Sequence, residues 1–446
     1  MLLILAGISI SMLSGENGLL KKAGDARDET IVGQEKEQVE LAYISAAVKK
    51  LGNGVDETDL QTELNNSVGS GKTYVSTNGD STINVLFTDT EHNYNVNNGT
   101  VTSAKIMPTV TIPPTTAVAE NTKYKDKNND IAVIPTGFRV SSDSTEQTIK
   151  TGLVVYDGND NEWVWIPVWD ASIMYTKSDD GIAITGGKGK TYVSEVSTDY
   201  YSNTILNGKT RGIPNTTSFR EPDIVVNSTL FDALASNYTA AGFVSLKDMS
   251  QKLISDYADM VKSIIENYGF YVGRYELTGT IAEPTEKKGW PLANKNWYNL
   301  YKACKNINTG TIGVVESRMI WGCQWDVMCN FIKDYGDRKN IDNSSTWGNY
   351  YQTQVYSSDR TSTLSERTAQ KRLQTGITTF TVANKIYDIA GNYSEFTQEA
   401  CDNSNRVCRG GYSNKKGTEY PASNRDTITA DSNYDYLTTR PVLYVK

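Results

Sequence analysis

IYDIAGNYSEFT, residues Ile386 to Thr397, sets a Gly391-Asn392 turn between two carboxylates, Asp388 and Glu395. Such a turn can aim backbone carbonyls at a common centre. A hard, oxygen-seeking cation such as calcium takes about six to eight oxygens at about 2.4 Å, backbone carbonyls among them. The same residues also make sense without a metal, with Asp388 capping amides of its own turn.

Outward from this turn the chain is rich in strands, with a few helices. Ile131 to Val140, Gly152 to Tyr156 and Glu162 to Val168 read as strands. Ser250 to Asn267 reads as a helix, with Leu253, Tyr257, Met260, Val261, Ile264 and Ile265 recurring at helical spacing. Phe270 to Leu277 is a strand entering the core, and Asn296 to Cys304 a short helix. Trp321 to Tyr335 is a further helix with Trp325, Met328, Cys329 and Ile332 on one face. Lys188 to Thr217, rich in Gly, Ser, Thr, Tyr and Asn, reads as loop. Asp126, Asn128 and Asp130 alternate carboxylate and amide as at the start of a calcium loop, but without the Gly and distal Glu of an EF-hand; the alternative is a polar turn.

Five motifs then occur in register: GFYVGRYE (Gly269 to Glu276), IWGCQWDVM (Ile320 to Met328), the stretch quoted above, CRGGY (Cys408 to Tyr412) and TRPVLYV (Thr439 to Val445). Together they resemble the formylglycine-generating-enzyme, or sulfatase-modifying-factor, branch of the C-type-lectin fold. IPTGFRVS (Ile134 to Ser141) and GLVVYDGNDNEWVWIPV (Gly152 to Val168) resemble the entry segment seen when that domain follows a pilin-like helix. The resemblance covers roughly Tyr124 to Lys446.

That likeness implies a structural calcium, with Asp388 and Glu395 giving side chains and Gly391 and Tyr393 giving carbonyl oxygens. Ser394 and Phe396 stand where the family has tryptophans. The family's oxidases use two closely spaced cysteines to bind copper, since Cu(I) wants soft thiolates. The corresponding stretch, Tyr412 to Arg440, has none. Iron-dependent relatives need several histidines, and His92 is the single one in this chain. The resemblance therefore implies the fold without its chemistry: no catalytic residues and no redox cofactor. Arg440 takes the family's closing arginine position, and Arg409 and Arg425 are family-like. Each reads as a buried arginine paired with carboxylates or as a ligand contact.

Cysteine usage adds little chemistry. Five cysteines leave at least one unpaired within the chain. Cys401 and Cys408 flank a hairpin-like DNSNRV and make a plausible extracellular disulfide. Cys323 and Cys329, six apart on one helix, are roughly 9 Å apart along its axis, too far to bond. Cys304 and Cys329 read as small buried hydrophobes.

The N-terminus reads MLLILAGISISML, then SGENG. An apolar run of about 13 residues falls short of the roughly 20 that span a bilayer. Leu2 to Ile10 and Gly15 to Gly18 resemble the back half of a type IV prepilin-like leader, which implies a natural start upstream of Met1. The alternative is an N-terminal core helix. Ile31, Val32, Val39, Ala42, Tyr43, Ala46 and Ala47 continue on one helical face, ended by Gly52 and Gly54. Thr82 to Phe87 and Tyr94 to Val96 then read as strands, with Asn98-Gly99 as a hairpin turn before Val101. MPTVTIPPTTAVAENT from Met107 reads as an extended stalk. The expected fold class is α+β: residues 1–106 a pilin-like helix and small antiparallel sheet, 107–123 a linker, and 124–446 a C-type-lectin-like mixed domain.

In that fold the segment Tyr412 to Thr439 forms the exposed ligand face. Some members of the branch are targets of diversity-generating retroelements, which favour Asn, Tyr, Ser and Asp there. Asn414, Tyr420, Asn424, Asp426, Asn433, Tyr434 and Tyr436 fit such a face, and an ordinary polar loop fits the same residues. Across the chain 27 Tyr stand against 9 Phe; tyrosine suits exposed binding surfaces, and a polar β-rich protein uses it too. The net charge of -8 argues against nucleic acid as a partner.

The expected protein is a non-catalytic adhesion or ligand-binding protein on the surface of a Gram-positive-type bacterium. Its partners would be an extracellular glycan, peptide or protein, other pilin-like subunits, and the membrane through the N-terminal helix. The alternatives are a sulfatase-modifying-type enzyme with an altered site, and a minor pseudopilin acting only in assembly.

Overall fold

The computed structural model describes residues 19–50, 54–77, 82–90, 92–103, 107–168, 183–186, 190–193, 238–244, 246–337, 339–400 and 405–446. The chain divides into two compact units: Met1–Ile106 with Thr185–Gly189, and Met107–Ile184 with Lys190–Lys446. Both mix helices with small, mostly antiparallel sheets.

The smaller unit joins a long helix α1 (Leu19–Lys49) to a second helix α2 (Glu57–Ser67) and a four-stranded antiparallel sheet. Its strands are β1 (Thr73–Thr77), β2 (Ile83–Phe87), β3 (Asn93–Asn97) and β4 (Thr100–Ser103), in that order. The expected Asn98-Gly99 hairpin is present, with φ of 46° and 82° at the two residues. Both being positive suits the twist of the flanking strands. Val39 and Ala42 of α1 meet Leu60 and Leu64 of α2 and Val75, Val85, Tyr94 and Val96 of the sheet in one core. Helix α2 was not expected from apolar spacing. Its start is fixed by Asp56, whose side chain accepts from the Asp59 amide while Asp59 accepts from the Asp56 amide. His92 belongs to this unit's packing: its Nδ1 lies 2.7 Å from Glu35 Oε2, and Glu35 also accepts from Thr90 Oγ1 and Tyr94 OH.

The larger unit centres on a six-stranded antiparallel sheet. Its strands in chain order are β5 (Arg139–Val140), β6 (Val154–Tyr156), β7 (Glu162–Pro167), β8 (Gly269–Gly273), β9 (Val315–Met319) and, from the C-terminal end, Pro441–Val445. The spatial order is β9, Pro441–Val445, β8, β7, β6, β5. Trp163, Val164, Trp165, Ile166, Phe270, Tyr271, Val272, Val442 and Leu443 are all fully buried. Strands covered on both faces read as continuous apolar runs, which is what VWIP and FYV show.

Among the described residues three longer helices accompany this sheet, besides the one-turn helix Ile149–Gly152. Helix α3 (Leu246–Asn267) buries Met249, Leu253, Tyr257, Met260 and Ile264, the spacing of a helical stripe. Helix α4 (Trp297–Lys305) is capped by Asn296, whose side chain accepts from the Asn299 amide. Helix α5 (Gly322–Asp334) buries Trp325, Met328, Cys329 and Ile332. Cys304 on α4 and Cys329 on α5 are both buried, as expected of small hydrophobes.

A second, four-stranded sheet carries the sequence motifs at the C-terminal end: β10 (Ser394–Ala400), β11 (Asn405–Arg409), β12 (Arg425–Thr429) and β13 (Leu437–Thr439). Its order is β12, β11, β10, β13, with only the β10–β13 pair parallel among its described ladders.

Two expectations change. The Pro/Thr-rich stretch 107–123 is not a free stalk, because Thr109–Val110 pairs in parallel with Lys123 and Tyr124, and Val140 N donates to Pro114 O. Backbone groups that would be solvated in a stalk are satisfied inside the larger unit. Within the loop expected at Lys188 to Thr217, Lys190–Val193 is a strand paired with Ala183–Gly186; residues 194–217 lie outside the described residues.

Candidate functional site

The segment after β11 turns at Gly410 and Gly411, whose φ values are 80° and 68°. A Cβ at Gly411 would lie 2.4 Å from Tyr420 O, so only glycine lets the chain fold back this closely. The chain then presents Tyr412, passes through a turn closed by Lys415 N donating to Tyr412 O, and re-enters the sheet as β12. After β12 it brings Tyr434 and Tyr436 back to the same place. Ser394 N donates to Tyr436 O, and Leu437 N to Tyr434 O, which hold this return.

Three phenol rings stack as a result. Tyr412 and Tyr436 have centroids 4.1 Å apart at 12°, and Tyr436 and Tyr434 are 5.2 Å apart at 7°. Tyr436 is the middle ring, and burial pushes its phenol up to about 12, with Tyr412 and Tyr434 adding to the effect. It is a neutral hydroxyl at physiological pH. Lys415 Nζ lies 4.4 Å from the Tyr420 ring centroid and 5.6 Å from that of Tyr412, a cation over π-faces. Arg372 Nη2 pairs with Asp435 Oδ2 at 2.6 Å, and its guanidinium lies over the Tyr393 ring.

A cleft of about 290 Å³ opens beside the stack. Its lining comprises the three tyrosines, Lys415, Asp426, Asn405, Ser394, Thr427, Ile428, Thr429 and Ser432. Asp426, Tyr434 and Tyr436 from the expected face are therefore brought together. Tyr420 sits half-buried under Lys415, and Asn414 and Asn433 are exposed but do not line the cleft. Asn424 is a correction: it is only 5 % exposed, in a tight turn where its backbone N donates to Pro421 O. Sequence reading missed Tyr412, Lys415, Thr427, Thr429 and Ser432. Alternation along RDTIT offered a signal for the threonines; nothing local marked Tyr412 as a stacking partner of Tyr436.

The Asp388 turn has a different character. Asp388, Gly391 and Asn392 all take positive φ, 59°, 77° and 60°. Asp388 Oδ2 accepts from Thr375 Oγ1 at 2.9 Å and from Gly376 N at 3.0 Å. Glu395 is forked by Arg440, with Nη2 2.7 Å from Oε1 and Nε 3.0 Å from Oε2. Tyr393 N and Asn392 Nδ2 both donate to Glu276. Glu395 is thus paired with the Arg440 guanidinium, and Asp388 with Thr375 and Gly376. Among the described residues no group of three or more His, Cys, Asp or Glu is placed to hold a metal. At Asp126, the Asn128 and Asp130 amides donate to one carboxylate oxygen, and the Ile149 amide to the other; this is the polar turn.

The remaining arginines are structural in the same way. Arg409 Nη2 lies 2.6 Å from Asp326 Oδ1, and Arg425 pairs with Asp326 and Glu399, all at 4 % side-chain exposure or less. Cys408 is buried on β11, and Cys401 lies outside the described residues, so the proposed bridge does too.

No protein-family model matches the chain, and no curated protein matches it. Among solved structures it is similar to variable protein 1 of Treponema denticola, at 14 % identity and a TM-score of 0.27, over 40 % of this chain and 84 % of that one. A likeness that distant fixes neither fold nor function.

Proposed function

We propose that the chain is a non-catalytic binding protein that presents the tyrosine-walled cleft of its larger unit to an extracellular ligand. The observation that carries this reading is the cleft itself: three stacked rings and one cation on loops converge with one anion on strand β12. Adaptable polar and aromatic groups on a rigid scaffold are how binding surfaces are commonly built. The C-type-lectin-like fold is part of the same reading, supported by the motif order and by the parallel β10–β13 pair next to the closing strand.

The thiols support a binding role over an oxidase one. Cys304 and Cys329 are buried, and burial drives both thiols well above their ordinary range. Such thiols are poor nucleophiles and metal ligands. Surface display through a pilin-like N-terminal segment is proposed on the long helix α1 packed against a small antiparallel sheet. Among the described residues no helix is long and apolar enough to cross a membrane.

The test is a binding screen of the full chain on glycan and peptide arrays, beside Tyr434→Ala and Asp426→Asn. Binding that both substitutions weaken supports the reading. Binding to nothing, or binding that neither change affects, overturns it.

A further inference from the structure

The cleft's chemistry selects among ligand classes. At about 290 Å³ it lies at the small end of clefts for small molecules, which run roughly 300–1,000 Å³. Ile428 is the one aliphatic side chain among the described residues that line it. A peptide or protein partner sinks large side chains into deep, desolvated apolar pockets, and this small, largely polar cleft offers none. The charges are also few and balanced, Lys415 against Asp426. Phosphate or sulfate recognition wants several converging cations.

What the cleft does offer is a ring face beside hydroxyls. Tyr436 is covered on both sides by its neighbours, so Tyr434 ends the stack, 48 % exposed. The negative face of a phenol ring attracts the polarised C–H groups of a pyranose. Among the hydrogen bonds of the described residues Asp426 accepts one, at Oδ1 from the Thr427 backbone N, which leaves Oδ2 open to a donor. Thr427 and Thr429 are exposed along β12, within the lining. Sugar hydroxyls, which can donate, match an open carboxylate oxygen beside a ring face.

We infer that the cleft takes a short neutral glycan, one pyranose ring lying on Tyr434 with its hydroxyls held by Asp426. This rests on the cleft being the ligand site. The orientation follows from the stack: the ring plane of the sugar runs parallel to the three phenols, and the chain of the glycan leaves past Tyr434.

Saturation-transfer NMR on the full chain tests it, with cellobiose, maltose, lactose and N,N′-diacetylchitobiose as neutral probes and sialyllactose as the anionic one. The expected result is transfer to the ring C–H protons of at least one neutral disaccharide, with Kd weakened about tenfold or more by Tyr434→Ala, the scale of a single aromatic anchor. Asp426→Asn, which keeps size and removes charge, is expected to weaken it too. The melting curve of each variant reports its folding. No transfer from any neutral probe, transfer unchanged in both variants, or sialyllactose preferred over lactose overturns the inference. If the sugars fail while an array peptide binds and loses binding on Tyr434→Ala, the sugar class falls and the cleft remains the ligand site. If sugars and peptides alike ignore both substitutions, both readings fall.

Discussion

Arg440 and Glu395 form a two-point ion pair sealed from solvent, with both side chains at 1 % exposure or less. Arg440 also donates to Gly273 O and Tyr387 O, so one guanidinium ties β8, the Asp388 turn and β10 together. Removing one partner of such a pair leaves an uncompensated buried charge. Arg440→Met is expected to cost about 3–5 kcal/mol of stability, read from the urea midpoint of the larger unit's transition. A loss below about 1 kcal/mol, the scale of an exposed pair, would contradict the assignment.

The same glutamate makes stability depend on pH. Burial pushes Glu395 up to about 7, opposed by Arg440, from an ordinary value of 4.5. A carboxyl whose folded pKa is raised favours folding below its unfolded pKa and loses that contribution as pH climbs through the folded one. The native chain should therefore lose a Glu395 contribution between pH 4.5 and about 7. Glu395→Gln, whatever its constant offset, should show a flatter decline of unfolding free energy across that window. Equal slopes in the two proteins would refute the raised value.

Calcium should not matter to this turn. Because Arg440 occupies Glu395 and Thr375 and Gly376 occupy Asp388, the melting temperature should be the same in calcium chloride and in EDTA. A calcium-dependent rise in Tm would return the ion to the turn.

Gly391 admits no side chain. Its φ is +77°, and a Cβ there would lie 2.3 Å from Asn349 O. Gly391→Ala must move backbone rather than a flexible side chain, and should cost more than about 2 kcal/mol. Thermal melting checks it, with the exposed Gly54→Ala, which meets nothing within 4 Å, as the control.

In the smaller unit, Glu35 gathers Thr90, His92 and Tyr94 from the sheet side onto α1. Glu35→Ala removes an acceptor from half-buried Thr90 and His92 and from buried Tyr94, whose hydroxyl keeps only Val32 O, at a cost of about 1–3 kcal/mol in all. Hydrogen exchange should speed up in α1 and β2–β3 while β10–β13 stay protected. Uniform acceleration through both units would show that the two are not separately stable.

The sequence carried more of the core than of the surface. Runs such as VWIP and FYV are legible because a strand buried on both faces has no polar side to hide it. The α3 stripe from Leu253 to Ile264 is legible because helical spacing survives in one dimension. The Asn98-Gly99 turn is legible because few residue pairs tolerate two positive φ angles. What escaped depends on distance along the chain. Thr109 meeting Lys123 hides inside a segment whose prolines read as a stalk. Tyr412 and Tyr436 stack across 23 intervening, mostly polar residues, and no local rule couples them. The carboxylates of the Asp388 turn were visible, but whether they face a cation or Arg440 depends on a residue brought in from the far end.

The strand Pro441–Val445 lies between β8 and β9, paired through Val442 and Leu443 on one side and from Val315 to Val445 on the other. Until residue 445 has left the ribosome, the nascent sheet is split in two, with bare hydrogen-bonding edges on either side of the gap. Such edges invite pairing with other chains, and long-range strand insertion is slow. A frameshift in the codons of Pro441–Val445 would therefore do more than alter one strand. It would leave the half-built sheet in the hands of chaperones and proteases.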